Sequence, residues 1–122
     1  MSHNQEIGKI GEEFSVVFLK NKGYKILERN WRSGKMELDI IAEYNRVLVF
    51  IEVKARSTIT FGFPEEAVNA LKQEMIRKAS THFLKRIRHN GEIRFDIISL
   101  IMNHKKEVKE IYHIEDAFFP GL

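Results

Sequence analysis

The segment from Met36 to Arg56, MELDIIAEYNRVLVFIEVKAR, predicts two apolar strands joined by a short polar turn. If the turn is centred on Asn45-Arg46 and has an even length, Tyr44 pairs with Val47. This hairpin decides the fold, because it supplies two neighbouring strands of the predicted core sheet. The rest of the chain is then expected to cover its two faces.

Counting outward from the turn places Asp39 opposite Glu52, and directly opposed side chains have Cβ atoms about 5 Å apart. Lys54 follows Glu52 by two residues and therefore shares its face. The charged face is apolar only towards the turn. The other face is predicted to be apolar throughout and comprises Leu38, Ile40, Ala42, Val49, Ile51, Val53 and Ala55.

Two carboxylates at this separation repel each other, and a hard divalent cation with oxygen ligands relieves the repulsion. Mg²⁺ suits one or two carboxylates together with water and a substrate phosphate. Lys54 would then orient a metal-bound water and offset charge on the attacked phosphate. The alternative is a cross-strand charge cluster at a solvated sheet end, with Lys54 neutralising its neighbours. A slip of one residue would also move Asp39 to the opposite face.

The chain of 122 residues predicts one domain, residues 1–122, with a genuine core. It contains no cysteine, which excludes disulfides and thiolate metal sites. Its first residues show no signal-peptide pattern, and the longest apolar run, Val47 to Ile51, is far shorter than the about 20 residues that span a bilayer. We therefore expect a soluble, cytoplasmic protein without membrane contact.

Basic residues are concentrated in the second half of one predicted helix, although the net charge is only +3. A basic surface near an acidic pocket suits a nucleic acid that is cut with the help of a metal. A solvated helix face is the alternative. The residues are Arg77, Lys78, Lys85, Arg86, Arg88 and His89, with a second group at Lys105 and Lys106.

Helical spacing of apolar residues predicts a first helix from Glu6 to about Lys22. Its large apolar stripe comprises Ile7, Ile10, Phe14, Val17 and Phe18. Gly8 and Gly11 each weaken a helix by roughly 1 kcal/mol, which indicates close backbone approach to a neighbour. Glu12 or Glu13 lies near the site, or both are solvated acids favoured by the helix dipole.

A strand is expected at Tyr24–Asn30, with Trp31 more suited to the core than to base stacking. The loop Ser57–Phe63, with Gly62 as a hinge, is expected to approach the substrate. Pro64 is predicted to begin a second helix that ends near Arg88. Its apolar stripe is Ala67, Val68, Leu71, Met75, Ala79, Phe83 and Ile87, and Lys72 and Gln73 fall off that stripe.

Two further strands are predicted at Ile93–Met102 and at about Val108–His113. Asp96 is assigned to structural pairing with a neighbouring charge. The aromatic tail Ile114–Leu122 is expected to dock on the domain.

This order of elements, with Asp and then Glu-x-Lys on the meander, resembles the restriction-endonuclease-like PD-(D/E)xK superfamily. More specifically, the chain resembles the YraN-type family of small bacterial proteins. The likeness runs nearly end to end and rests on an ordered set of motifs. They are Gly8-x-x-Gly11-Glu12, Asn30-Trp31-Arg32, Glu37-Leu38-Asp39-Ile40-Ile41, Phe50-Ile51-Glu52-Val53-Lys54-Ala55-Arg56, Phe61-Gly62, Lys72-Gln73 and His113-Ile114 to Ala117-Phe118.

The resemblance implies an α/β fold with a central mixed sheet of about five strands flanked by helices, shared with Holliday junction resolvases and restriction enzymes. It implies that Asp39 and Glu52 bind Mg²⁺ or Mn²⁺ and that Lys54 is the catalytic lysine. It also selects Glu12 over Glu13 as the first-helix acid. Nucleic-acid contacts would come from Arg32, Arg56, Lys72 and Gln73.

The leading hypothesis is a metal-dependent endonuclease-like hydrolase acting on DNA, including branched or single-stranded forms. Two other classes stay open: a nucleic-acid-binding module without chemistry, and an interaction scaffold with a nuclease-like fold. The sequence leaves a homodimer open as well, since nucleases that cut both strands often work as dimers.

Overall fold

The computed structural model of the chain describes residues 2–57 and 68–118, which form one five-stranded sheet and two helices. The strands lie in chain order in the sheet, and only the pairing of the third with the fourth strand is parallel. The α/β class with a mixed sheet and flanking helices is therefore confirmed. The elements are α1 (His3–Asn21), β1 (Lys25–Ser33), β2 (Met36–Tyr44), β3 (Val47–Arg56), α2 (Ala70–Ile87), β4 (Ile93–Met102) and β5 (Val108–Ile114).

The predicted register of the central hairpin is confirmed. Tyr44 pairs with Val47, and the ladder continues regularly to the pair Ile40 and Ile51. Asn45 and Arg46 have φ values of 49° and 67°. Positive φ at both central residues is the left-handed turn whose twist matches that of the two flanking strands.

Each face of the sheet carries its own hydrophobic core. The face covered by α2 buries Ile41, Leu48 and Phe50 against helix residues such as Phe83. The opposite face buries Ile40, Ala42, Val49 and Ile51 against Val16 and Leu19 of α1. The hairpin is therefore covered on both sides, as its sequence predicted.

The assignment of Leu38 to the face of Ile40 was wrong. Leu38 packs in the core under α2, together with its partner Trp31 on β1. The alternation of faces breaks because Asn30, next to Trp31, has a φ of 51°. A residue with positive φ turns the strand out of its regular pleat, so side chains on its two sides no longer alternate.

Helix α1 buries its small-residue face instead of its large apolar stripe. Phe14 and Val17 remain 43% and 58% exposed, contrary to the prediction that the stripe is packed. The buried face approaches the sheet closely because a Cβ on Gly11 would lie only 2.7 Å from Cβ of Ala55. Close approach is thus confirmed at Gly11 but not at Gly8, which has no neighbour within 4 Å of such a Cβ. The buried residues are Ile7, Gly11, Ser15, Val16 and Leu19.

Helix α2 begins later and faces differently than predicted. Asn69 is its N-cap, with extended backbone and a side chain that accepts the Lys72 N–H, so Val68 precedes the helix. Leu71, Met75 and Ile87 of the predicted stripe are exposed, whereas Ile76, Ala79, Ser80 and Phe83 are buried. The predicted start at Pro64 and the loop residues 58–63 lie outside the described residues.

The remaining elements follow the predictions. Strand β4 has the predicted bounds, and β5 extends one residue further than expected. The tail docks as far as it is described, because the Ala117 N–H donates to the Phe95 carbonyl at 2.7 Å and Phe118 stacks on Phe95. Trp31 packs edge-on against Phe83 in the core, as expected. Within residues 2–57 and 68–118, no helix is both long and apolar enough to cross a membrane.

Candidate active site

Asp39 lies where the hairpin ladder ends. The last paired residues are Ile40 and Ile51, and beyond them Oδ2 of Asp39 accepts the Val53 N–H at 2.8 Å. A side-chain carboxylate thus takes the place of a backbone acceptor, which fixes its position next to β3. Glu52 precedes Val53 on that strand, and its carboxylate receives a hydrogen bond from Asp39.

Both carboxyl groups prefer their protonated form in the metal-free protein. Burial and, after it, the charge of Glu52 raise the pKa of Asp39 to about 8, although the Val53 hydrogen bond opposes the shift. Burial also raises the pKa of Glu52, and the charge of Lys72 is the strongest opposing influence. Two acids that share one proton form a site with unsatisfied demand for positive charge.

The surroundings of Glu52 explain why burial dominates its pKa. A small hollow beside this residue is lined by apolar side chains from β2, β3, α2 and the docked tail, and the Glu52 side chain is only 12% exposed. Apolar neighbours cannot solvate a carboxylate, so they disfavour its charged form. The lining residues besides Glu52 are Leu38, Phe50, Ile51, Ile76 and Phe118.

Lys72 is the cation nearest to this pair, and its position was not anticipated. Its Nζ atom lies 3.4 Å from Oε1 of Glu52. The sequence placed Lys72 off the apolar stripe and facing solvent by default. The helix is rotated relative to that stripe, however, so Lys72 lies on the side of α2 that faces the sheet, next along from Ile76.

Lys54 is exposed on β3, and its positive charge lowers the pKa of Glu52 less than any other contribution. It is therefore near the acid pair while its side chain stays accessible to solvent. Such a lysine can move towards a substrate group without breaking a buried contact.

Glu12 of α1 lies close enough for its charge to raise the pKa of Asp39, as the weakest of the causes. Its Oε1 atom accepts hydrogen bonds from Asn30 at 2.8 Å and from Arg29 at 3.2 Å. Glu12 is thus held in place by β1, beside Asp39 but bound to other partners. The sequence gave no signal for Arg29 in this position.

The other predicted nucleic-acid contacts are dispersed. Arg32 is 74% exposed and pairs with Glu37 at 3.1 Å. The side-chain amide of Gln73 donates to the Val68 carbonyl at 3.0 Å, which supports the start of α2. Arg56 lies half-buried at the end of β3. None of these contacts joins the residue to the acid pair.

The donor chemistry of Asp39 and Glu52 fits a hard divalent cation. Two oxygen ligands whose pKa values are raised by burial and mutual repulsion would lose their protons to Mg²⁺ or Mn²⁺. In the described part of the chain, no group of three or more His, Cys, Asp or Glu residues is arranged to hold a metal. Two carboxylates leave coordination positions for water and for a substrate phosphate, as Mg²⁺ sites commonly do.

A second group of buried charges lies around Asp96, which is fully buried. It accepts two hydrogen bonds of 2.8 Å from Arg94, one of 2.8 Å from Nε2 of His113, and the Asp116 N–H. Burial would raise the pKa of Asp96, but these hydrogen bonds outweigh it and hold the pKa below its ordinary value. Asp96 therefore has the structural role that its sequence context predicted.

Comparison with known proteins gives the family. The sequence matches the model of the uncharacterised protein family UPF0102 over residues 11–100. This chain belongs to that family. It is the YraN-type family that the motifs indicated, so the resemblance is confirmed.

Relatives in UPF0102 match over almost their whole length. A UPF0102 protein of Flavobacterium psychrophilum is 45% identical, with 98% of each chain covered. Another, from Phocaeicola vulgatus, is 44% identical over 100% of this chain and 99% of its own. A crystal structure of an fdxN element excision controlling factor protein from Anabaena variabilis has a TM-score of 0.43 and 14% identity, covering 84% of this chain and 98% of that one.

Proposed function

We propose that this protein is a metal-dependent nuclease that hydrolyses phosphodiester bonds of DNA, branched or single-stranded forms included. The observation that carries the proposal is the hydrogen-bonded pair of Asp39 and Glu52, buried at the end of a hairpin and flanked by two lysines. A purely structural pair of this kind is expensive, because each buried carboxylate loses its hydration. Metal binding gives both acids a reason to be there.

Asp39 and Glu52 would hold Mg²⁺ or Mn²⁺, which when bound would supply Lewis acidity towards the phosphate and a water of lowered pKa. The accessible ammonium of Lys54 orients the attacking water and offsets the charge that develops on the phosphate. Glu12, anchored by Asn30, assists from α1 by orienting groups next to Asp39. Arg32, Arg56, Lys72 and Gln73 are assigned to the substrate backbone.

The test is cleavage of labelled single-stranded, duplex and branched DNA in the presence of Mn²⁺. We expect the wild type to cut at least one substrate, and Lys54→Ala to reduce the rate on the order of 100-fold. Asp39→Asn and Glu52→Gln should abolish cleavage while the fold persists. Lys109→Ala, which removes an exposed strand lysine on β5, is the matched control and should cut at the wild-type rate.

Equal cleavage by the wild type and Lys54→Ala would contradict the assignment, since the activity would then come from another site or another protein. If no variant cuts DNA but the wild type binds it in a salt-dependent manner, the protein is a binding module. One observation favours that second candidate: Lys72 already supplies a positive charge to Glu52. Absence of any salt-dependent binding would leave an interaction scaffold.

A further inference from the structure

Lys72 occupies a position in α2 where a lysine is locally unfavourable. Asn69 is the N-cap, so Lys72 is the third residue of the helix, and its N–H is bound by the cap at 2.9 Å. The positive end of the helix dipole disfavours cations in the first turn, and that turn contains no acidic residue to compensate. The contact with Glu52 is therefore what stabilises a lysine there.

The contact joins a mobile cation to a fixed anion. The Lys72 side chain is 42% exposed, whereas that of Glu52 is 12% exposed and is held beside Asp39. The lysine has a flexible four-carbon stem and a solvent path, so it can leave without rearranging the sheet. Glu52 has no comparable freedom.

We propose that Lys72 is an internal counter-ion of the acid pair that competes with the divalent cation for Glu52. The inference rests on the proposed metal site, but not on the proposed DNA cleavage. A dication bound to Glu52 and an ammonium 3.4 Å from the same carboxylate repel each other strongly. Metal binding therefore displaces Lys72, and the released ammonium is free to contact the substrate phosphate.

Competition predicts two effects of opposite sign when the lysine charge is removed. Lys72→Met keeps the length of the stem but leaves Glu52 without its counter-ion, so Mn²⁺ should bind more tightly, on the order of tenfold. DNA cleavage by the same variant should fall at saturating Mn²⁺, because the phosphate loses a positive contact. A lysine with only a structural role would not tighten metal binding.

The experiment titrates the full chain with Mn²⁺ and measures free Mn²⁺ by electron paramagnetic resonance. The variants are wild type, Lys72→Met and Lys72→Gln, with Lys78→Met as the control that removes an exposed lysine from the same helix. Lys72→Gln retains a neutral hydrogen-bond donor for Glu52, and it carries the test if Lys72→Met does not fold. Circular dichroism of each variant establishes folding.

Tighter Mn²⁺ binding by the Lys72 variants, with Lys78→Met equal to wild type, is the expected result. Equal or weaker binding by both Lys72 variants overturns the inference, and so does the absence of measurable Mn²⁺ binding by them. Tighter binding without DNA cleavage by any variant, wild type included, would support the role of Lys72 and reject the nuclease function. The two proposals can therefore fail separately.

Discussion

Oδ2 of Asp39 accepts the Val53 N–H at 2.8 Å, just where the ladder between β2 and β3 ends. The bond anchors a carboxyl group whose pKa is raised to about 8, first by burial and then by the charge of Glu52. The hairpin thus holds two acids together against their repulsion. A metal-free protein must bear that strain as lost stability.

The stability of the metal-free protein should therefore fall as pH rises from about 4 to about 8. Folded Asp39 keeps a proton that the unfolded chain releases, so the free energy of unfolding decreases by up to about 1.4 kcal/mol per pH unit. Asp39→Asn mimics the protonated acid and should be more stable than wild type at about pH 8, by about 1–3 kcal/mol. Urea unfolding in EDTA across this pH range measures both effects.

The control for this prediction is Glu43→Gln, which removes an exposed carboxylate from the same strand. It should keep the wild-type dependence of stability on pH. An equally steep pH dependence in Asp39→Asn would show that another group titrates, and the assignment of the strain to Asp39 would be wrong.

The hairpin could be predicted because its information is local. A two-residue turn fixes the register, and the register carries Asp39 to Glu52 through a run of alternating pairs. The error at Leu38 has the same origin. The interruption comes from the backbone of Asn30 on the neighbouring strand, and no pattern within the hairpin reports it.

The phase of both helices was harder to predict, because hydrophobicity alone did not identify the buried side. In α1 the sheet accepts Gly11 and Ser15 and leaves Phe14 exposed, since close packing against Ala55 requires small residues. In α2 the same kind of error pointed Lys72 to solvent. The contact of Lys72 with Glu52 depends on long-range packing and could not be seen in the sequence.

The two glycines of α1 should respond in opposite directions to replacement by alanine. Gly11→Ala would place a Cβ 2.7 Å from Cβ of Ala55, so overpacking should lower the free energy of unfolding by about 1–3 kcal/mol. Gly8→Ala meets no neighbour within 4 Å and should raise it by about 1 kcal/mol through helix propensity. Thermal or urea unfolding of the two variants compares them directly. Stabilisation by Gly11→Ala would mean that α1 can move away from β3.

Asp96 should be essential for stability rather than for chemistry. Asp96→Asn removes the buried negative charge that binds Arg94 and His113, and we expect a loss of about 3 kcal/mol in the free energy of unfolding. Because the pKa of Asp96 is below its ordinary value, its contribution is present at neutral pH and disappears as pH falls through that lowered pKa. Urea unfolding measured at neutral and at acid pH tests both parts.

Asp116→Asn is the matched control for Asp96, since only the backbone N–H of Asp116 contacts Asp96. Its φ of 53° is one that asparagine adopts readily, so stability should change by less than about 0.5 kcal/mol. If Asp96→Asn is equally mild, the charges around Asp96 do not hold β4 and β5 together as inferred.

DNA binding should depend on the basic end of α2 more than on other exposed lysines. Lys85 and Lys20 are both exposed and both lie in the last turn of a helix, so the two sites share the same helix-dipole environment. Only Lys85 has basic neighbours, among them Arg86 and Arg88. A phosphate contact at Lys85 contributes about one unit to the slope of log affinity against log salt concentration. Lys85→Ala should therefore weaken binding and reduce that slope by about one, whereas Lys20→Ala should change neither, as fluorescence anisotropy across a salt series would measure. Equal slopes for the two variants would mean that the basic end of α2 is a solvated helix face and that DNA is bound elsewhere on the protein.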